Sequence, residues 1–241
     1  MGKKTFEYNN INYKKIFSKK ISKFFSYAQN FEDFILFCIF YNKKNGFYID
    51  VGANDPNLIS ITKAFYLRGW NGINIEPLPD KYNEFVKYRK RDINLQICVG
   101  EKEGTSTFYV SERNTSLIKE KSKKKKYIKV KIDTMKNICR KYVPKLIEIQ
   151  FCKIHIKTNE KKILLGFDFE NYRPKVFCIE SINIKGKLFY PSYLLWEDIL
   201  IKNDYFFIYQ QKNNRFYIDN RVKGLREKFM LVNTYIKLYN K

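Results

Sequence analysis

The chain has 241 residues, 44% hydrophobic and 17% aromatic, with a formal net charge of +23. That length fits one α/β domain with decorations, and that apolar share supports a full core and excludes disorder of the whole chain. The charge favours contact with phosphates, anionic headgroups or acidic glycans, but it is spread along the sequence and accompanies no nucleic-acid-binding motif, so no specific nucleic acid is expected. The cysteines, Cys38, Cys98, Cys139, Cys152 and Cys178, form no C-x-x-C and share the chain with one histidine. No metal site is therefore expected, and thiols inside apolar runs read as reduced core residues. The N-terminus is polar and carries no apolar secretory core, and the run 34–41 is too short to span a bilayer. A cytoplasmic location follows as the expectation, with peripheral membrane contact left open.

In chain order, residues 1–25 form a basic Lys- and Asn-rich lead-in of the kind that is often poorly ordered. Residues 27–43 carry Phe31, Phe34, Ile35, Cys38 and Ile39 at helical spacing. Residues 47–51 read as a short buried strand. A helix follows over 57–68, marked by Leu58, Ile61 and Phe65. Next come a strand at 73–75, a helix at 79–89 opened by Pro79, and a third strand at 95–99. Strand, helix, strand, helix, strand is the pattern of a parallel sheet with right-handed crossovers.

Two further strands are predicted at 105–110 and 127–132. Between them lies KEKSKKKK, residues 119–126, read as a solvated loop, with an electrostatic clamp for an anionic substrate as the alternative. Asp133 is expected to cap a helix running to Tyr142. A fourth parallel strand at 147–156, a helix at 159–167, an apolar strand at 175–180 and a helix at 193–202 follow. Residues 205–209 and 215–218 pair as a closing antiparallel hairpin. A basic tail, helical in part, occupies 220–241. One domain is thereby placed at 26–219.

The stretch FYIDVGANDPNLISITKAFYLRGWNGINIEP, residues 47–77, raises a chemical question. In open parallel sheets ligands bind beyond the carboxyl ends of the strands. Gly52 lies just past the first strand, where the absence of a side chain permits a sharp turn and a ligand against the backbone. Glu76 lies just past the second, where a carboxylate can accept two hydrogen bonds from a ribose diol. A dinucleotide would call for a glycine-rich turn at a helix start. Here there is one glycine, an acid at Asp55 that would repel a pyrophosphate, and Pro56. S-adenosylmethionine carries no phosphate and tolerates nearby acids, so the chemistry favours it over NAD. An ordinary strand-to-helix turn is the plain alternative.

The chain resembles the FkbM family of S-adenosylmethionine-dependent methyltransferases. The resemblance is carried by YAQNFED (27–33), FYIDVGANDP (47–56), TKAFYLRGWNGINIEP (62–77), RDINLQICVG (91–100), LLGFDFENYRPKVFCIE (164–180), the Pro191–Leu200 segment and NRFYI (214–218). It implies a three-layer, Rossmann-like class I methyltransferase fold, with a seven-stranded, mostly parallel sheet ending in a C-terminal antiparallel hairpin. It further implies that Asp50, Gly52, Ala53 and Asn54 line the methionine end of the cofactor and that Glu76 holds the ribose. Gln29 would close over the cofactor, and Asp92, Cys98 and Val99 would fall on the adenine side.

After the fourth strand the family reads K-I-D-V-E-G-A-E, whereas this chain reads Lys153-Ile154-His155-Ile156-Lys157-Thr158-Asn159-Glu160. A hydroxyl acceptor must lose a proton, and His155 stands where the family has an acid. An imidazole with an ordinary pKa of about 6.5 suits that task. Glu180 and Lys153 are further catalytic candidates. Lys157 and Thr158 depart from the family and point the other way, toward loss of the acceptor half of the site. Two readings stay open. One is an O-methyltransferase acting on a small molecule or glycan, such as a sugar hydroxyl of a surface polysaccharide. The other is a catalytically impaired relative that binds the cofactor or a partner. The sequence does not fix an oligomeric state.

Overall fold

A computed structural model of the chain describes residues 5–7, 23–110, 115–116, 126–156, 159–185 and 188–239. Its centre is set by strands that are apolar on both sides, which only a sheet covered on two faces can accommodate. The strands of this sheet are β1 (Phe47–Val51), β2 (Asn71–Ile75), β3 (Ile93–Leu95), β4 (Ile149–Ile154), β5 (Val176–Glu180), β6 (Tyr205–Gln211) and β7 (Asn214–Asp219). Their spatial order is β6-β7-β5-β4-β1-β2-β3. All run parallel except β7, which is antiparallel to both of its neighbours. The helices are α1 (Glu32–Ile39), α2 (Lys63–Leu67), α3 (Pro79–Tyr88), α4 (Met135–Tyr142), α5 (Glu160–Leu165), α6 (Glu197–Lys202) and α7 (Leu225–Tyr239). Residues of α1, α2 and α7 form one core on one face, and residues of α4, α5 and α6 form a second core on the other. The fold is thus three-layered and α/β, with a mostly parallel sheet.

Alternation along the strands sorts side chains between the two cores. Tyr48, Phe151, Val176 and Ile218 belong to the first core, and Ile49, Ile73, Cys152, Phe177 and Tyr217 to the second. On the first face the register aligns Asn94, Asn74, Asp50, Lys153 and Cys178 across five neighbouring strands. This mostly polar row crosses an otherwise apolar surface close to the carboxyl ends. Beneath it, Asp92 accepts hydrogen bonds from the Tyr48 hydroxyl at 2.6 Å, the Gly72 amide at 2.9 Å and Asn74 Nδ2 at 2.9 Å. A Cβ on Gly72 would collide with the Tyr48 ring, which accounts for a glycine inside β2. Arg89, fully buried, lies 3.9 Å from Asp92. It donates to Pro56 O at 2.7 Å and to Ser60 Oγ at 3.0 Å, pinning the loop that leaves β1.

Several sequence expectations are corrected. The strand expected at 95–99 is two strands: β3 ends at Leu95, and Cys98–Gly100 joins a separate four-stranded sheet with Lys126–Thr134, Gly104–Val110 and Thr115–Ser116. Parallel pairing of Cys98–Gly100 with Ile132–Thr134 draws the chain out of the central sheet. The helix expected at 57–68 is the short α2, because the residues before it are held as a loop by Arg89. The cap of α4 is Thr134, whose Oγ1 accepts from the Asn137 amide at 3.2 Å, while Asp133 belongs to the preceding strand and pairs with Lys131 at 3.5 Å. A hairpin of Ile182–Lys185 and Leu188–Pro191 was not legible in the sequence. In the lead-in, Thr5–Glu7 pairs with Lys23–Phe25, and most of the remainder lies outside the described residues. The lysine run also lies outside them, except for Lys126. The tail contains α7.

All five cysteines are free thiols. Among the described residues no helix is long and apolar enough to cross a membrane, and no group of His, Cys, Asp and Glu is disposed to hold a metal ion. Removing one partner of a buried ion pair strands the other charge. Arg89→Met is therefore expected to destabilise the fold by about 3–5 kcal/mol, read as a lower urea midpoint with an unchanged slope.

Candidate active site

The site is built where β1 and β2 stop. Gly52 has φ +70, a conformation that L side chains rarely adopt. A Cβ there would strike the backbone oxygen of His155 and come within 2.8 Å of Ile156 Cγ2. The turn is stitched to the neighbouring strand by the amides of Gly52 and Ala53, which donate to Ile75 O at 3.0 and 3.1 Å. Asn54, also at positive φ, donates its amide to Glu76 Oε2 at 2.8 Å, and the Leu78 amide donates to Oε1 at 3.0 Å. Each carboxylate oxygen accepts two hydrogen bonds, so one acceptor position remains on each for a ligand diol. Burial pushes the Glu76 carboxyl up, against the opposing pull of those two amides and the charge of Lys153.

Lys153 joins the turn from β4. Its Nζ lies 2.8 Å from Asp50 Oδ1 and donates to Gly52 O at 2.6 Å. The other oxygen of Asp50 accepts from Thr62 Oγ1 at 2.9 Å. Asp50 and Lys153 are both buried. A lysine tied in this way holds the turn in shape and offsets the charge of Asp50.

Asp55 does not point toward a ligand phosphate. Its Oδ1 accepts the amides of Asn57 and Leu58 at 2.9 and 3.0 Å, and its Oδ2 pairs with Lys81 at 3.0 Å. The case against a pyrophosphate therefore rests less on its charge than on the helix position. The next helix, α2, begins only at Lys63, so no helix N-terminus follows the turn to bind phosphate.

A strap of residues 26–31 crosses the same edge. On one side Tyr27 O accepts the Ser60 amide at 3.0 Å. On the other, Asn30 O accepts from Gln211 Nε2 at 2.9 Å, and Glu32 Oε1 accepts from Asn214 Nδ2 at 2.7 Å. Asp33 anchors it from below, accepting from Ser26 Oγ at 2.6 Å and from the Tyr27 amide at 2.7 Å. Burial outweighs these bonds and pushes the Asp33 carboxyl up to about 7. Gln29 sits on the strap and is exposed.

At the ends of β4 and β5, His155 Nε2 lies 3.4 Å from Glu180 Oε1, with side-chain exposures of 41% and 14%. The backbone amide of His155 donates to Val51 O at 3.0 Å, which fixes the main chain of that residue beside the Gly52 turn. Cys98 lies near Glu76: burial, then the charge of Glu76, push its thiol up to about 12. Val99 packs against the second core. Asp92 is not brought to the site. It precedes β3, at the opposite end of the sheet from the carboxyl edge, and its bonds to Tyr48, Gly72 and Asn74 make it a core residue. Lys157 and Thr158 lie outside the described residues. Sequence reasoning also passed over the roles of Thr62, Arg89 and Asn214. A lysine inside a buried apolar strand beside a strand carrying Asp50 was the legible signal for the Asp50–Lys153 pair.

The model of the Methyltransferase FkbM domain matches residues 50–207. The chain belongs to the FkbM methyltransferase family. The FkbM match opens on Asp50, includes Glu76, Lys153, His155 and Glu180, and leaves Gln29 and Asn214 outside. A solved structure, Methyltransferase FkbM from Methylobacillus flagellatus KT, is similar at 15% identity and a TM-score of 0.45, over 73% of this chain. The chain spans 44% of the length of that FkbM protein. No curated protein matches it.

Two outcomes are expected. Gly52→Ala should lower stability by at least about 1–2 kcal/mol from the left-handed backbone alone, measured by denaturant unfolding. Because the folded-state pKa of Asp33 lies above its unfolded value, folding takes up a proton between them. Stability should fall as pH rises from about 4 to 7 and level off above, and Asp33→Asn should flatten that fall in thermal melts taken across the range.

Proposed function

We propose that the protein is an S-adenosylmethionine-dependent O-methyltransferase, acting on a hydroxyl of a sugar in a surface glycan or a related metabolite. The observation that carries the cofactor assignment is the Gly52–Asn54 turn bonded directly to Glu76, with no helix N-terminus behind it. The residues present fit the group. Gly52, Ala53 and Asn54 would hold its methionine end, with buried Asp50 shaping that turn through Lys153, Glu76 the ribose diol, and Cys98 and Val99 the adenine side, with Gln29 on the strap above. When bound, the cofactor supplies a methyl group for displacement at carbon.

The chain's own task is to align the acceptor and receive its proton. His155 is the base in this reading, and Glu180 orients its imidazole and stabilises the imidazolium. Lys153 is reassigned from a catalytic candidate to a positioning residue, because its ammonium is tied to Asp50 and Gly52 O. A cytoplasmic site of action accords with the free thiols. The second reading, a relative that binds without turnover, is favoured by Lys157 and Thr158, where the family resemblance calls for Glu and Gly.

Calorimetry with S-adenosylmethionine is expected to show one site, lost in Glu76→Ala. His155→Ala should keep that binding while turnover of a sugar acceptor falls roughly 10²–10⁴-fold. In the parent enzyme turnover should drop on acidification as the imidazole protonates. Cofactor binding with no turnover on any hydroxyl acceptor would establish the second reading instead.

A further inference from the structure

Exposed apolar side chains that stand singly are ordinary on a protein surface. Leu58 and Ile59 stand together, 69% and 53% exposed, on the loop between the Gly52 turn and α2. That loop is tightly built. At its start Asp55 accepts the amides of Asn57 and Leu58. Buried Arg89 donates to Pro56 O and to Ser60 Oγ, one on either side of the pair. Pro56 and Ser60 are themselves buried, so two exposed aliphatic side chains are held between two buried anchors. Ile59 also has φ +55, a left-handed backbone that is a genuine outlier for a β-branched residue. Such a conformation costs free energy, and a half-exposed side chain recovers little of it through packing. A glycine would adopt the same backbone without strain. What the isoleucine adds is apolar surface facing water.

The base of this tip is cationic. Lys63 Nζ donates to Asn57 Oδ1 at 2.7 Å, and Lys81 Nζ pairs with Asp55 Oδ2 at 3.0 Å, so two ammonium groups are tied to the loop against one carboxylate. The chain as a whole adds a formal charge of +23. We propose that Leu58 and Ile59 form a membrane-docking tip, which enters the headgroup boundary of an anionic bilayer and sets the lysines at its base against the lipid phosphates. An apolar insertion and a cationic surface are the two signals that reversible peripheral attachment combines. A second copy of this chain is the poorer occupant, since it would bring the same lysines and the same net charge against the first. The proposal goes beyond the methyltransferase reading and does not depend on it. Docking in this way would lay the loop that follows the Gly52 turn on the lipid surface.

The test uses the full chain with vesicles of phosphatidylglycerol mixed with phosphatidylcholine, and with vesicles of phosphatidylcholine alone. Leu58→Trp supplies a fluorescent probe, because the native tryptophans, Trp70 and Trp196, are both buried. Its emission is expected to move to the blue with the anionic vesicles and to stay in place with phosphatidylcholine alone. Leu146→Trp is the control: Leu146 is fully exposed in the segment before β4, and its emission should not move. The double variant Leu58→Ser, Ile59→Gly keeps the charge of the parent. Its affinity for anionic vesicles in co-sedimentation should fall at least roughly tenfold, while its thermal midpoint is not lowered, since glycine relieves the left-handed backbone. Simple adsorption of a basic protein would not distinguish these variants. An unmoved emission for Leu58→Trp, an equal shift for Leu146→Trp, unchanged affinity in the double variant, or equal binding to phosphatidylcholine alone would each overturn the proposal. So would self-association without lipid that the double variant abolishes, which would make the tip a contact between copies.

Discussion

The buried pair of Asp50 and Lys153 governs the geometry of the carboxyl edge. Neither charge is stable alone in that position: an unpaired buried ion costs several kcal/mol, and a pair is retained only when its remaining hydrogen bonds are met. Here each partner makes a further bond to a group that matters for the site. Beside the ion pair, Lys153 donates to Gly52 O, and Asp50 accepts from Thr62. One ion pair therefore fixes the conformation of the turn after β1, the start of α2 and the spacing of β1 from β4. Glu76, bonded to the amide of Asn54, inherits its position from the same turn.

The local chemistry of the molecule departs from what its overall composition suggests. A chain with a large excess of lysine places two carboxylates, Glu76 and Glu180, at this edge beside the buried Asp50–Lys153 pair. Long-range attraction of anions and short-range recognition of hydroxyls can coexist, because the first depends on summed charge and the second on which atoms stand within hydrogen-bonding distance.

The fold was legible wherever hydrophobic periodicity decided the structure. β1, β4, β5 and the β6–β7 hairpin stand within a few residues of their predicted places, since a strand buried on both faces has few alternatives. The reading failed where hydrogen bonds between distant segments overrode local preference. Residues 95–99 look like one strand, but the pull of Ile132–Thr134 on Cys98–Gly100 divides them. Asp133 looks like a helix cap, but the strand extends through it and Thr134 takes the role. In the site, Gly52 and Glu76 were legible from their positions after apolar strands, and the structure brings them together. Asp92 was misplaced because sequence gives its neighbours in the chain and not the end of the sheet it occupies. Asn214 was invisible for the same reason: its partners Glu32 and Glu180 are remote in sequence.

The strap formed by residues 26–31 is moored on both banks of the edge, to Ser60 on one side and to Gln211 on the other, where Glu32 at the start of α1 adds a bond from Asn214. A span fixed at both ends cannot swing like a hinged door. Lifting it from the edge requires the release of one mooring. The Asn30–Gln211 and Glu32–Asn214 bonds are made to the β6–β7 hairpin, so slack in that hairpin is transmitted to the strap. A substitution that loosens the hairpin would therefore also loosen the segment that spans the edge.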